Sequence, residues 1–510
     1  MDDATLAAWR RHLGEDADLE GLRDELAAGT MAEAFAGVAA ERPGAPALDI
    51  DGTALTHGEI DDRAARVAGF LKSRGVAPGD RVLLSAPTSM DLVVAYLGVL
   101  RVGATAMPCD AKLTGAELAH LLGDAEPVAA FVAPEVRGRL AEARDPATVV
   151  TIGGEAQQAG SLAEAQAAEP VAPEPSPGPA MLAYTSGTTG APKGVPLTHA
   201  NVLSSMRGVV HAWRWTADDV LVHALPLSHQ HGLGGVHLTL LCGSRAVVFS
   251  RFAPETLCAA IREHRATVLM AVPAMYQRLS DWDGIGDADL RSLRLAISGS
   301  APLPPALAER VRGWLGEYPL ERYGSTEAGL DVSNAYRGPR RPGRVGWALP
   351  GIEMRLGESE EILIRGPQVF EGYWRRPEAT AEALTEDGWF RTGDLGRLDL
   401  EDGSLEITGR SKELIISGGL NVYPREVEAA LEEHPAVGQV AVAGVPSERW
   451  GEEVVAFVVP ADELDPDALI AHCRERLSAY KCPKRVVALD ELPVNHMGKV
   501  RRDALAGMAG

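Results

Sequence analysis

Positive charge is in short supply: 49 Lys and Arg stand against 71 Asp and Glu in 510 residues, a formal net charge of -22. A surface that acidic opposes non-specific nucleic-acid or anionic-membrane binding and favours solubility. Cysteine is scarcer still. Cys109, Cys242, Cys258, Cys473 and Cys482 are scattered, odd in number and without a CxxC pair. That excludes a disulfide framework and a thiolate zinc site, and reads as reduced thiols in a cytoplasmic protein. No apolar run reaches the roughly 18 residues that would cross a bilayer. The opening MDDATLAAWRRHLGEDADLE lacks the apolar stretch of a signal peptide. What remains is ordinary for a globular chain, 46% hydrophobic and 24% charged. The length exceeds what one core usually supports, so two or more domains are expected.

Two short polar helices are predicted within residues 1–30. From about 45 to 135 the pattern alternates: a hairpin around Asp51-Gly52, an amphipathic helix closed by Gly75, the strand RVLLSA, the helix LVVAYLGVLRVG, then further strands. Strands alternating with helices imply βαβ units and parallel sheet. AEPVAPEPSPGPA, residues 168–180, reads as a surface linker, after which the alternation resumes. Beyond about 355 short Gly-punctuated strands suggest a β-rich subdomain. After Arg410 a new set of helices and strands suggests a separate domain.

The densest chemistry lies in YTSGTTGAPKG, residues 184–194, directly after the apolar MLA. Glycines let backbone N–H groups turn toward a ligand, hydroxyls add donors, and Lys193 supplies a compact charge, so such a chain cradles phosphate oxygens. No Gly-Lys-Ser/Thr closes it, which disfavours a P-loop NTPase. The string resembles the phosphate loop of the adenylate-forming superfamily, which includes acyl-CoA synthetases, luciferases and the adenylation domains of peptide synthetases. Five further strings match in order over roughly 35–505: ERYGSTEAG, SGSAPL, WFRTGDLG, GRSKELIISGGLNVYPREVE and LPVNHMGKVRRDAL.

The resemblance implies an α/β (α+β multidomain) fold: an N-terminal extension over 1–30, a large domain over 31–410 and a mobile C-terminal domain over 411–510. The large domain would hold two βαβ-type subdomains and a small β-rich one. The resemblance also implies an acid–thiol ligase that uses ATP, Mg²⁺ and coenzyme A. Thr185, Ser186, Gly187, Thr188, Thr189, Gly190 and Lys193 would hold phosphates. Ser300, Ala301, Pro302, Glu321, Arg322, Tyr323 and Gly324 would frame the adenine, with Thr326 on the α-phosphate and Glu327 on the metal. Asp394 and Arg410 would take the ribose. Lys412 would be the hinge, Gly418 and Gly419 would shape the thiol tunnel, and Lys499 would bridge carboxylate and α-phosphate.

For the acyl group the resemblance points to LPLSHQHGLGG, with His229 in the pocket wall. His229 and His231 form an HxH pair without a third ligand nearby, which disfavours a metal. The combination of segments resembles malonyl-CoA synthetases, so malonate or methylmalonate is the expected acid. Arg294 is the candidate cation for a distal carboxylate, because an Arg grips carboxylates bidentately. Ser325 stands where malonate enzymes carry Met, and Asp331 falls near the pocket, where an anion would repel a second carboxylate. Two alternatives keep ATP activation but change the acceptor or the nucleophile: a carrier protein's phosphopantetheine arm, or nitrite. A homodimer through the N-terminal arm is a further reading.

Overall fold

Short runs rich in Val, Leu, Ala and Ile, each bounded by turn residues, become buried strands, and Thr-x-x-Glu signatures start several of the helices between them. Thr30, Thr56 and Thr114 each accept the backbone N–H of a Glu three residues on, whose carboxylate reaches back to the threonine N–H. The computed structural model describes residues 2–143, 146–153, 161–176, 178–185, 192–417, 420–447, 449–494 and 500–509.

A six-stranded sheet runs in the order Thr148–Thr151, Ala129–Val132, Arg81–Ser85, Thr105–Pro108, Met181–Thr185, Lys193–Leu197. Its first five strands are parallel; the last pair is an antiparallel hairpin that sets Thr185 opposite Lys193. The two ends of the phosphate-loop string are therefore anchored in the sheet. Helices His57–Ser73 and Met90–Arg101 pack closely because Gly98 leaves no side chain there; an added Cβ would lie 2.5 Å from Val67.

The second sheet has a parallel centre: Pro46–Ile50, Arg245–Val248, Val220–His223, Val268–Ala271, Leu295–Ser298 and Leu320–Ser325. From Leu320–Ser325 it continues antiparallel through Gly329–Ser333, Arg344–Ala348, Leu405–Arg410, Phe390–Leu398, Glu361–Arg365 and Glu353–Leu356. The short Gly-punctuated strands thus prolong a parallel sheet. One hydrophobic core runs from Met31 to Leu405. A smaller one starts at Ile415, under a sheet built around the antiparallel pair Val437–Ser447 and Gly451–Pro460. The mixed α/β architecture, with a large N-terminal and a smaller C-terminal part, is the one the sequence predicts.

Helices Asp3–Leu13 and Leu22–Ala27 fold back on the chain's own body. Trp9 is fully buried with Leu22 and Leu26, and its indole N–H donates to the Ile352 carbonyl at 2.8 Å. Among the described residues no helix is long and apolar enough to cross a membrane.

Candidate active site

The parallel strands of the second sheet end at His223, Ser298 and the run beyond Leu320, and ligands of open α/β sheets bind outside such carboxyl ends. Three groups of side chains gather there.

The first joins the hairpin to Glu327. Lys193 Nζ lies over the Tyr373 ring, 4.7 Å from its centroid, and the Tyr373 hydroxyl donates to Glu327 Oε1 at 2.9 Å. The segment carrying Tyr373 is tied at both ends: Phe370 N–H donates to the Glu327 carbonyl and Trp374 N–H to the Gly194 carbonyl, each at 2.8 Å. The cation and the carboxylate expected on a triphosphate therefore share one row. Tyr373, which links them, was not singled out from the sequence. Its only local sign is the preceding Gly372, held at φ 147°.

The second group is built on the strand pair Phe390–Leu398 and Leu405–Arg410, where Asp394 and Arg410 are register partners. Arg410 Nε lies 3.0 Å from Asp394 Oδ1, and the Tyr323 hydroxyl donates to Asp394 Oδ2 at 2.7 Å. The carboxylate beside Arg410 raises that guanidinium's pKa. A carboxylate oriented from both sides suits a vicinal diol.

The third group lines a recess. Ser300 takes φ 70°, and its Oγ lies 3.0 Å from His231 Nδ1 and 3.5 Å from Arg322 Nη2. Gly299 is required here, since an added Cβ would lie 2.2 Å from Arg322 Nε. Burial holds His231 well below the usual histidine range, with Arg322 and His223 adding to the effect. Buried polar atoms are nearly always hydrogen-bonded. Yet His223 Nε2, His231 Nε2, Ser298 Oγ, Arg322 Nε, Ser325 Oγ and both Asp331 oxygens have no partner among the described residues. That concentration leaves a set of donors and acceptors at one group of strand ends that a polar ligand could satisfy.

Several sequence expectations change. Arg294 precedes strand Leu295–Ser298, at the end away from the recess, roughly 13 Å of strand from Ser298. It is bound bidentately to Asp219 at 2.7 and 2.6 Å, and it also donates to the carbonyls of Trp213 and Arg214. It is a structural ion pair, and the buried guanidinium at the recess is Arg322, expected instead at the nucleotide. Glu321 points into the protein, accepts the Gly343 N–H at 3.0 Å and is pushed up to about 8 by burial. Thr326 offers its carbonyl to Gln230 Nε2 at 3.1 Å. His229 is the N-cap residue of helix Gln230–Cys242. Gly324 leaves no room for a Cβ, which would lie 2.0 Å from the Gly329 carbonyl. Lys412 is exposed in the turn Ser411–Glu413. Ala301 and Pro302 follow Ser300. Ser186, Gly187, Thr188, Thr189, Gly190, Gly418, Gly419 and Lys499 lie outside the described residues.

Among the described residues no cluster of three or more His, Cys, Asp or Glu is arranged to hold a metal. A single carboxylate, Glu327, fits an ion held chiefly by phosphate oxygens and water, as Mg²⁺ usually is.

A lysine–carboxylate row, a carboxylate oriented from both sides and a polar recess form an arrangement suited to an enzyme that joins a nucleotide to a small molecule. The model of the AMP-binding enzyme family matches residues 35–374, and that of the AMP-binding enzyme C-terminal domain matches 426–499. The chain belongs to this family and is an adenylate-forming acyl-CoA synthetase, an ATP-dependent acid–CoA ligase. It is 39% identical over 485 residues to a feruloyl-CoA synthase of Amycolatopsis sp, covering 90% of this chain and 94% of that one. It is 38% identical to the mitochondrial malonate–CoA ligase ACSF3 of Bos taurus over 63% of each chain. The crystal structure of ATP-bound MatB from Rhodopseudomonas palustris superposes with a TM-score of 0.87 at 37% identity, covering 94% of this chain and 98% of that chain.

Proposed function

We propose that the acid is short and polar at its far end, with malonate or methylmalonate the first to try, and that Mg²⁺ accompanies ATP on Glu327. The carrying observation is Arg322: only 9% exposed, its Nε without a partner among the described residues, beside Ser300 and His231. A desolvated guanidinium with a donor to give attracts an anionic or strongly accepting group. A relative named for malonate at 38% identity supports the same reading, while one named for the bulkier feruloyl group marks the breadth of the family.

In the first half-reaction the carboxylate attacks the α-phosphate and pyrophosphate leaves. Two anions must meet, so the chain's work is positioning and charge stabilisation. Lys193 and Glu327, coupled through Tyr373, hold the triphosphate and its metal. Asp394 with Arg410 and Tyr323 holds the ribose. Lys499 is proposed to follow charge from the carboxylate to the α-phosphate, and Gly418-Gly419 to admit the CoA arm. A carboxylate ionised at neutral pH needs no general base.

The test is pyrophosphate release with malonate, methylmalonate, propionate and ferulate. Arg322→Met is expected to lower kcat/KM for malonate by about a hundredfold, the loss of a charge-assisted contact, with a much smaller loss for propionate. Equal losses for both acids would remove the dicarboxylate reading.

A further inference from the structure

Strand pairing singles out Asp331. Between Leu320–Ser325 and Gly329–Ser333, Tyr323 faces Val332 and Gly324 faces Leu330. Asp331 is the extra residue of a β-bulge, with no residue opposite. Bulges bend a strand and re-aim one side chain, often next to an active site. Asp331 is fully buried beside the Gln368 side chain, and among the described residues neither carboxylate oxygen has a partner at full hydrogen-bond geometry.

Its surroundings are mixed in charge. Arg322, on the neighbouring strand, attracts it, while Glu327 and Asp394 oppose its ionisation. Burial is the largest influence and moves the carboxyl well above the usual range, against the Gln368 side chain, which favours the charged form. The Tyr323 hydroxyl is engaged with Asp394. The Gln368 amide beside it donates to the Leu330 carbonyl at 2.7 Å, and Gln368 also lines a small cavity with Ser205, Gln230 and Gly329. Arg322, with an unmet donor, and Asp331, whose oxygens lack well-formed hydrogen bonds, therefore attract one another across adjacent strands, and Arg322 faces the recess.

We propose that Arg322 and Asp331 grip a single distal group of the acyl substrate, one that accepts from Arg322 and brings a hydrogen to Asp331. This rests on the polar-end reading above and narrows it. A hydroxyl, a carboxamide or a carboxyl that keeps its proton meets both demands. A methyl meets neither, and a free carboxylate meets Arg322 but confronts Asp331 as a like charge. Asp331 is thus a specificity-determining residue, and a dicarboxylate is held with one proton shared between its distal carboxyl and Asp331.

Pyrophosphate release by the full-length enzyme with ATP and CoA tests this, using malonate, its monoamide malonamate and propionate at neutral and alkaline pH. Malonamate is expected to exceed malonate in kcat/KM by at least about tenfold at alkaline pH, with a smaller margin at neutral pH. Asp331→Asn brings its own hydrogens and carries no charge, so it is expected to reverse that ratio in favour of malonate. A ratio unmoved by the substitution, or a wild type that prefers malonate at alkaline pH, overturns the inference but leaves the polar-end reading standing. Propionate outrunning both polar acids in the wild type removes the two together. Should Asp331→Asn fail to fold, the wild-type ratio still decides, since a malonamate-to-malonate ratio flat with pH overturns the inference.

Discussion

Tyr373 illustrates how single atoms join the site. Its ring accepts the Lys193 ammonium on its face and its hydroxyl reaches Glu327. Tyr373→Phe keeps the ring and removes the hydroxyl, leaving the carboxylate short of one partner. A lost hydrogen bond to a charged group is worth about 1.5–3 kcal/mol. The expected outcome is a ten- to hundredfold fall, roughly, in kcat/KM for MgATP in pyrophosphate exchange, with thermal stability little changed. An unaltered constant for ATP would detach Tyr373 from the triphosphate. Arg322 and Arg294 make the complementary point. The sequence offers Arg294, beside the adenine segment, as the carboxylate anchor and assigns Arg322 to the nucleotide. The length of one strand separates them, because Arg294 immediately precedes the strand that Ser298 ends.

Among the elements, the N-terminal arm carries the most structure that the sequence left without a role. Its two helices were predicted, but not what they cover. Arg207, in helix His199–Ala212, donates to the carbonyls of Glu25, Leu26 and Ala28 at 3.1, 3.0 and 2.7 Å, and Arg214 donates to those of His12 and Leu13. Arg23 pairs with Glu353 at 2.6 Å. The arm braces the helix that follows the phosphate-loop hairpin against the antiparallel half of the sheet. Trp9→Ala removes the arm's largest buried side chain and its bond to Ile352, a change that costs about 3–5 kcal/mol in a packed core. Limited proteolysis should then clip the first 28 residues while the body stays folded. Wild-type resistance in the variant would mean the arginine contacts alone hold the arm.

Over the whole molecule, two hydrophobic cores meet at a short joint. Leu405 belongs to one and Ile415 to the other, with the turn Ser411–Glu413 between them. We propose that the C-terminal part, from about 411, turns about Lys412 between the two half-reactions. Lys412→Pro fixes the backbone φ at the joint. It is expected to leave pyrophosphate exchange within about threefold while slowing acyl-CoA formation by roughly tenfold or more, a split that gating of one step produces. Equal slowing of both would place the pivot elsewhere.

Much of this protein was legible in its residues, because the signals are local. Hydrophobic alternation marked the βαβ order, and the glycine- and hydroxyl-rich string after a buried strand marked the expected nucleotide site. Asp394 beside Arg410, and Lys193 with Glu327, are drawn together as those strings suggested. Only tertiary structure decided the rest, since it depends on which residues oppose one another across strands far apart in the chain. Backbone bonds from a distant loop put Tyr373 between Lys193 and Glu327, tertiary packing turned Arg294 to Asp219 and Arg322 to the recess, and strand pairing left Asp331 in a bulge. A shift of one residue moves a side chain to the other face of a sheet, and no local pattern carries that information.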